Sequence, residues 1–283
     1  MQPAIPDKAT EGLGTFALKQ GDEIRVGNLA VHIASTKTEI EAAQALRYRI
    51  FYDEMGGHPS QEVRALRRDF DMFDGYCDHL LVIDYDLPKA AGQVVGTYRL
   101  LRRSAMQLLG RFYSEGEFDI SAIKREPGEI MELGRSCVDA RYRNRAVMQL
   151  LWRGIAAYMT EYDIKLMFGC ASFAGTEVAA HAMPLSYLHH YHLAPDSMRL
   201  NALPERYVKM NLMPKEAIDV KEAFSALPAL IKGYLRLSGY IGHGAVIDPD
   251  CNTLDVGVIV KTELVTEKYA QRYNATLSAK NDE

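Results

Sequence analysis

The sequence predicts a mixed α/β domain, and three observations support that class. Strand-like runs alternate with helix-like runs along the chain. No Pro/Ser-rich linker and no internal repeat interrupts this alternation. The 283 residues are 48% hydrophobic and 25% charged, as in ordinary globular proteins. We therefore predict one domain over residues 23–265, preceded by a flexible lead-in at 1–22 and followed by a C-terminal tail at 266–283.

The first half of the chain predicts strands around one long helix. Residues 24–34 are typical of a strand or a strand pair. Thr36 and Glu39 have the spacing of a capping box, so we expect a helix that begins there and ends near residue 54. The polar run 56–75 predicts a long loop. Residues 79–85 and 93–102 predict two strands, and 104–118 predicts helical or irregular structure.

The second half continues the alternation. Strands are predicted at 129–138 and 165–173, and a pair of strands at 239–248 and 252–262 flanks the turn Asp248-Pro249-Asp250. Helices are predicted at 147–162, at 176–192 with an interruption at Pro184, and at 227–237. Gly134 permits a bulge in its strand, so we expect the sheet to be splayed at that position.

Charge, cysteine usage and hydropathy exclude several classes of protein. The net charge of −4 does not indicate a general binder of nucleic acid or anionic membranes. The four cysteines are widely spaced and form no zinc-binding pattern, and we predict no metal. The N-terminus is polar and no apolar run approaches the length of a membrane span, so we expect a cytoplasmic protein.

Two groups of charged residues in the first half are candidate binding residues. Arg47 lies on the apolar face of the predicted helix with Phe51, and a buried arginine needs a partner or a ligand. A substrate contact and a structural salt bridge, for example with Glu54, are both open. Asp71 and Asp74 have a spacing that would orient a cation or an amine, although the spacing alone favours a solvated turn or a helix cap.

Three residues on predicted strands are further candidates. Arg99 either faces a ligand or reaches solvent from an edge strand. A bulge at Gly134 would turn Glu132 and Arg135 toward one cavity. A carboxylate there could have a raised pKa and act as a general base on an ammonium group. The structural alternative is a Glu132–Arg135 ion pair inside the sheet.

The segment Arg141-Tyr142-Arg143-Asn144-Arg145-Ala146 precedes an apolar helix. Helix N-termini present free N–H groups and partial positive charge, which suits a phosphate. Three arginines add to that charge, so the segment favours an anion site over a solvated loop.

Taken in order, these motifs resemble a known superfamily. Arg47…Phe51, Asp71…Asp74, Arg99-Leu100 and Glu132…Arg135 resemble the pattern of the GNAT N-acyltransferases, and specifically of their acyl-carrier-protein-dependent branch. That branch includes acyl-homoserine-lactone autoinducer synthases, N-acyl amino acid synthases and ornithine N-acyltransferases. The wider strings at 46–56, 132–144 and 232–256 look most like the ornithine N-acyltransferases.

The resemblance implies a GNAT-like acyltransferase fold, with a mixed, splayed central sheet flanked by helices. It implies transfer of a long-chain 3-hydroxyacyl group from acyl carrier protein to the α-amine of ornithine, which gives lyso-ornithine lipid in the first step of ornithine lipid synthesis. Three alternatives stay open. The acceptor is another amino acid (glutamine, glycine or lysine); the chain is an autoinducer synthase that uses S-adenosylmethionine; or it is a non-catalytic module that binds the carrier protein.

The resemblance also implies roles for the candidate residues. Glu132 and Arg135 would be catalytic, with Glu132 as the base. Acceptor binding would involve one group of side chains: Arg47, Phe51, Asp71, Asp74 and Arg99. Phosphopantetheine binding would involve a second group: Arg141, Arg143, Asn144, Arg145 and Ala146.

Asn144 departs from the family pattern, because it stands where the pyrophosphate loop usually has glycine. Asn tolerates the left-handed conformation, so we expect the turn to survive. We predict no cofactor, since the phosphopantetheine thioester of the acyl carrier protein is a co-substrate. The amphiphilic product adds an expectation of peripheral contact with the inner membrane.

Overall fold

The computed structural model describes residues 18–19, 21–88 and 93–264. Its longer strands are β1 (Glu23–Val26), β2 (Leu29–Ile33), β3 (Asp78–Asp84), β4 (Val94–Arg102), β6 (Glu129–Val138), β7 (Ile164–Ala174), β10 (Tyr240–Asp248) and β11 (Thr253–Lys261). Two-residue strands are β5 (Phe118–Asp119), β8 (Asn201–Ala202) and β9 (Tyr207–Val208). The helices are α1 (Lys37–Tyr48), α2 (Gln61–Leu66), α3 (Arg103–Leu109), α4 (Ser121–Lys124), α5 (Arg145–Glu161), α6 (Ala182–His192), α7 (Val220–Ala226) and α8 (Ala229–Arg236). The mixed α/β class is confirmed.

Contacts between residues divide the protein into two compact units. Unit 1 holds the described residues of Met1–Ile50, Val63–Leu100 and Arg135–Asp163. Unit 2 holds those of Phe51–Glu62, Leu101–Gly134 and Ile164–Glu283. Strand β6 contributes residues to both, because the boundary follows Gly134. The predicted tail at 266–283, and the predicted lead-in as far as residue 17, lie outside the described residues. The single-domain boundaries stay a prediction.

Unit 1 is built on an antiparallel run of strands in the order β1-β2-β3-β4. The end of β6 continues it, with the Asp139 N–H donating to the Val95 carbonyl at 2.9 Å. Helix α5 packs on β2 and β3, where Gly154 lies so close to Leu80 that an added Cβ would approach within 2.9 Å. The predicted capping box is confirmed, since Thr36 and Glu39 hydrogen-bond reciprocally at the start of α1.

Unit 2 is built on a mixed sheet. The first part of β6 pairs in parallel with β7, and β11 pairs antiparallel with β7 and β10. The short strand β8 runs parallel to β10, and β5 pairs with β8. Helix α8 packs on β7 and β11, and α6 packs on β10.

The pairing of β6 with β7 ends after the fifth residue of β6. Its registered pairs with β7 end at Leu133↔Gly169. A Cβ at position 169 would collide with the Leu133 carbonyl, so the two backbones approach as only glycine permits. Arg135, not Gly134, carries the left-handed backbone (φ +49°). A left-handed arginine is strained, which places the irregularity one residue beyond the predicted position.

Three local predictions need correction. The predicted loop at 56–75 contains α2, and α7 was not predicted. Pro184 does not interrupt a helix, because it is the third residue of α6, where the missing N–H would have no helical partner anyway.

In the part of the chain that the structure describes, no helix is long and apolar enough to cross a membrane.

Candidate active site

Unit 1 contains an ion-pair cluster of six residues. Four are buried (Arg47, Asp69, Asp74 and Arg99), and two are half-buried (Asp71 and Arg135). Arg47 is fully buried on α1, with Nε 2.8 Å from Asp69 Oδ2 and Nη2 2.6 Å from Asp74 Oδ1. Arg99 Nη1 on β4 lies 2.6 Å from Asp71 Oδ1 and 3.1 Å from Asp74 Oδ2.

Arg135, on β6, is the sixth member of the ion-pair cluster. Its Nε lies 3.3 Å from Asp69 Oδ2 and its Nη2 lies 3.4 Å from Asp71 Oδ2. Four of the predicted site residues of the first half are therefore brought together with Arg135. Arg47 pairs with Asp69 and Asp74 instead of Glu54, the partner that the helical spacing indicated. Asp69 lies in the same polar run as Asp71 and Asp74.

The electrostatics of this cluster favour the charged form of Asp74. Burial raises the pKa of Asp74, but the guanidinium groups of Arg47 and Arg99 outweigh burial and hold that pKa well below its usual range. Burial and the charge of Arg47 lower the pKa of His79, whose Nε2 contacts the Asp74 carbonyl at 3.1 Å. Three arginines face three aspartates, so the cluster is balanced in charge.

One donor of Arg47 is not used by the ion-pair cluster. Arg47 Nη1 has no hydrogen-bond partner among the described residues. A buried guanidinium nitrogen without an acceptor is costly, so a substrate carboxylate would be favoured there. Phe51, the other half of the Arg47 motif, belongs to unit 2, where its carbonyl accepts a hydrogen bond from the Gly57 N–H at 3.0 Å.

Glu132 lies in unit 2 and is 4% exposed. Its two carboxylate oxygens accept hydrogen bonds from the backbone N–H groups of Tyr113 (2.8 Å) and Ser114 (2.7 Å), and from the Ser114 hydroxyl. Arg135 belongs to unit 1, where it contacts Asp69 and Asp71. The left-handed residue is Arg135 and not Gly134. That both side chains turn toward one cavity stays a prediction.

A second group of buried carboxylates was not predicted. Glu117, Asp248 and Asp255 each place an oxygen within 4.8 Å of the others. Burial and the neighbouring Asp255 raise the pKa of Glu117 to about 7. No sequence motif could reveal this group, because it joins residues more than a hundred positions apart.

Hydrogen bonds lead from Glu132 toward these carboxylates. Ser114 Oγ contacts Cys170 Sγ at 3.5 Å, and the Cys170 thiol donates to Glu117 Oε2 at 3.3 Å. Burial raises the pKa of Cys170 well above its ordinary value, so this cysteine is a thiol. Glu132, Ser114, Cys170 and Glu117 therefore form one line of polar contacts inside unit 2.

The arginine segment before α5 lies at the protein surface of unit 1. Asn144 is extended (φ −123°), and its Oδ1 accepts from the N–H groups of Ala146 (3.0 Å) and Val147 (3.1 Å). The expected left-handed turn at Asn144 is wrong, because Asn is a strong N-cap residue and satisfies these donors itself. Arg143 and Arg145 are exposed, and Arg141 is 70% exposed beside Asp139.

Comparisons with known proteins give the family. Residues 46–153 match the acetyltransferase (GNAT) domain family. The chain is 46% identical to an L-ornithine N(alpha)-acyltransferase of Brucella abortus, over 90% of this chain and 93% of that protein. It is 41% identical to one of Rhodobacter capsulatus, over 86% and 93%.

A solved N-acyl amino acid synthase from uncultured soil microbes is 10% identical, with a TM-score of 0.45, over 83% of this chain and 91% of that one. The predicted resemblance to the GNAT acyltransferases is confirmed by the matched domain and the sequence relatives. On the strength of those relatives, which share most of their length with it, the chain belongs to the family of L-ornithine N(alpha)-acyltransferases.

Proposed function

We propose that this protein transfers a long-chain 3-hydroxyacyl group from the phosphopantetheine thioester of acyl carrier protein to the α-amine of L-ornithine. The proposal for the acceptor rests on the sequence identity of 46%, over nine-tenths of the chain, to an L-ornithine N(alpha)-acyltransferase. The arrangement around Glu132 supports the chemistry. The carrier protein as donor rests on the resemblance of the arginine segment and on its charge.

The reaction needs a neutral amine beside a thioester. At neutral pH the α-amine of ornithine carries a proton that blocks attack. Glu132 takes this proton, and the free amine attacks the thioester carbon. The new N–C bond replaces the C–S bond, and the thiol leaves with the second proton lost by nitrogen. Backbone N–H groups of β6, past its last registered pair with β7, stabilise the oxyanion.

The acyl donor meets the segment that precedes α5. Asn144 occupies the N–H groups of Ala146 and Val147, so the arginine side chains rather than these amides bind the phosphate. Arg143 and Arg145 are exposed and can also meet the acidic surface of a carrier protein. Arg141 shares Asp139 with Arg49, which fixes its position.

The acceptor carboxylate binds Arg47 through Nη1. This atom is buried and lacks a partner among the described residues, whereas the other nitrogen donors of Arg47 hold Asp69 and Asp74. Asp71 is the more exposed aspartate of the predicted pair, and it receives the acceptor's side-chain ammonium.

The test uses purified protein, 3-hydroxyacyl carrier protein and L-ornithine, with mass spectrometry of the products. We expect N-acylornithine, and little product when acyl-coenzyme A replaces the carrier protein. Glutamine, glycine, lysine and S-adenosylmethionine are tested as competing acceptors. A preference for one of them would overturn the ornithine assignment, and binding of carrier protein without transfer to any amine would indicate a binding module.

The role of Glu132 is tested with Glu132→Gln, which keeps the side-chain volume. We expect kcat to fall by about 10²–10⁴-fold, the usual contribution of a general base. Glu129→Gln at the start of the same strand is the matched control, with a rate near that of the wild type. Equal rates for Glu132→Gln and the wild type would show that Glu132 is not the base.

We also propose that the protein works in the cytoplasm and touches the inner membrane peripherally, because its product is amphiphilic. Flotation with anionic vesicles, with and without N-acylornithine, tests this contact. Protein that stays at the bottom of the gradient under both conditions would exclude it.

A further inference from the structure

Glu132 and Glu117 are joined by an unbroken line of polar contacts in unit 2. The Ser114 hydroxyl donates to Glu132, and Ser114 Oγ lies 3.5 Å from Cys170 Sγ. Cys170 Sγ lies 3.3 Å from Glu117 Oε2. Glu132, Ser114 and Glu117 are 4%, 0% and 3% exposed, and Cys170 is half-buried.

In the structure the Ser114 hydroxyl donates to Glu132 and the Cys170 thiol donates to Glu117, so the Ser114–Cys170 contact gains a hydrogen only when one more proton enters the line. A hydroxyl and a thiol can each receive a proton on one side and release one on the other. With that proton, the line has two arrangements that hold the same number of protons. In one, Glu117 is protonated and every donor points toward Glu132; in the other, Glu132 is protonated and every donor points toward Glu117.

We propose that Glu117 stores the proton that Glu132 removes from the acceptor amine, receiving it through the Ser114 hydroxyl and the Cys170 thiol. This inference rests on the proposed function. The proton balance agrees with it. An ammonium group and a thioester give an amide, a thiol and one proton, and this last proton is the one that Glu117 holds until it escapes.

The surroundings of Glu117 suit a proton store. Asp255 on β11 and Asp248 on β10 repel its charge, Cys170 on β7 donates to it, and Arg206 is the cation that favours its ionised form. Arg206 is itself held by the carbonyls of Gly116 (2.9 Å) and Ile247 (3.0 Å). Burial, followed by the charge of Asp255, raises the pKa of Glu117 to about 7, which allows proton uptake and release near neutral pH.

The first test needs no substrate. Infrared titration of the free enzyme between about pH 5.5 and about pH 9 follows buried carboxyl groups, since an unperturbed carboxyl ionises near pH 4. We expect a carboxyl band that disappears with a midpoint near 7 and is missing in Glu117→Gln. Cys170→Val removes the thiol donor that stabilises the carboxylate, so the midpoint rises, whereas Cys170→Ser leaves it nearly unchanged. The exposed Asp119→Asn is the control that should change nothing in this range.

The second test is the pH profile of kcat/KM with ornithine and the acyl carrier protein. In the wild type we expect the rate to rise with pH through the midpoint of the infrared titration, because Glu117 must be ionised to accept a proton. In Glu117→Gln and Cys170→Val this rise should vanish and kcat should fall by at least about tenfold. Cys170→Ser should keep both the rise and most of the rate.

Two results would overturn the proton store: a titrating band that survives in Glu117→Gln, or equal profiles for Cys170→Val and the wild type. A wild type that shows the titration and its Cys170 dependence, but does not acylate ornithine, would instead count against the proposed acceptor.

Discussion

Arg47 Nη2 and Asp74 Oδ1 are 2.6 Å apart, and both side chains are withdrawn from solvent. Asp74 also contacts Arg99, and Arg47 also contacts Asp69, so the pair links α1 and β4 through the turn that precedes β3. Charges buried this completely are stable only together, since each alone would keep its desolvation penalty. Arg47 and Asp74, which belong to the motif that resembles a substrate site, therefore also stabilise the fold of unit 1.

Asp74→Asn should lower the free energy of unfolding by about 3–5 kcal/mol, because it leaves Arg47 and Arg99 with an uncompensated buried charge. Urea unfolding followed by circular dichroism measures this loss. The exposed Asp86→Asn serves as control and should shift the free energy by no more than about 0.5 kcal/mol. Equal stability of the two variants would contradict a structural role for the pair.

Acid should unfold the wild type partly through Asp74. The pKa of this carboxyl is far lower in the folded protein than its ordinary value of 3.8. The unfolded chain therefore binds the proton first, and the stabilisation is complete above the unfolded pKa and is lost as the pH falls below it. Unfolding titrations from pH 6 downward should show a shallower loss of stability in Asp74→Asn than in the wild type. If the stability of both proteins falls equally with pH, Asp74 does not cause the acid sensitivity.

Glu117→Gln should have the opposite pH dependence. The folded pKa of Glu117, about 7, lies above its ordinary value of 4.5, so the folded state binds the proton more strongly. Stability from this group is complete below the unfolded pKa and is lost as the pH rises through about 7. Relative to the wild type, Glu117→Gln should gain about 1–3 kcal/mol between pH 5 and pH 8. Thermal unfolding of both proteins at pH 5 and pH 8 gives the difference in their free energies of unfolding. If this difference is the same at both pH values, the pKa of Glu117 is not raised.

Replacing Arg141, Arg143 and Arg145 together with Gln should raise KM for the acyl carrier protein by at least about tenfold and leave kcat nearly unchanged. Lost charge attraction explains this, so added salt should raise KM in the wild type more than in the variant. Steady-state kinetics at two salt concentrations checks both effects. The exposed Arg125→Gln is the control. A fall in kcat at constant KM would place the three arginines in the chemical step.

Asn144→Ala should lower the free energy of unfolding by about 1 kcal/mol, because two N–H groups at the start of α5 lose their acceptor. Asn144→Ser keeps a capping oxygen and should retain most of that stability. Chemical denaturation of the three proteins gives the order. If Ala and Ser are equivalent, the cap does not stabilise the helix.

Local patterns predicted most of the regular structure. The strand expected at 129–138 is β6 with the same limits, and Thr36 and Glu39 start α1 as predicted. Alternation and capping are properties of neighbouring residues, so they can be read along the chain. The short helix α2 was not predicted because its six residues carry too little periodicity.

The candidate site was predicted in part, for a physical reason. The spacing of Arg47, Asp71, Asp74 and Arg99 identified members of one cluster, but not that they pair with one another. Ion-pair partners depend on which surfaces the fold brings together. Glu117 shows the same limit, because its neighbours Asp248 and Asp255 come from the distant hairpin of β10 and β11.

Gly169 sets a boundary for engineering this enzyme. A side chain at this position would strike the Leu133 carbonyl at the last registered pair of β6 and β7. Libraries that randomise β7 to change acyl-chain preference should therefore keep this codon fixed and vary only its neighbours. Because Glu132 is the residue before Leu133, even alanine at 169 would displace the proposed base. Such clones should lose activity whatever their new specificity.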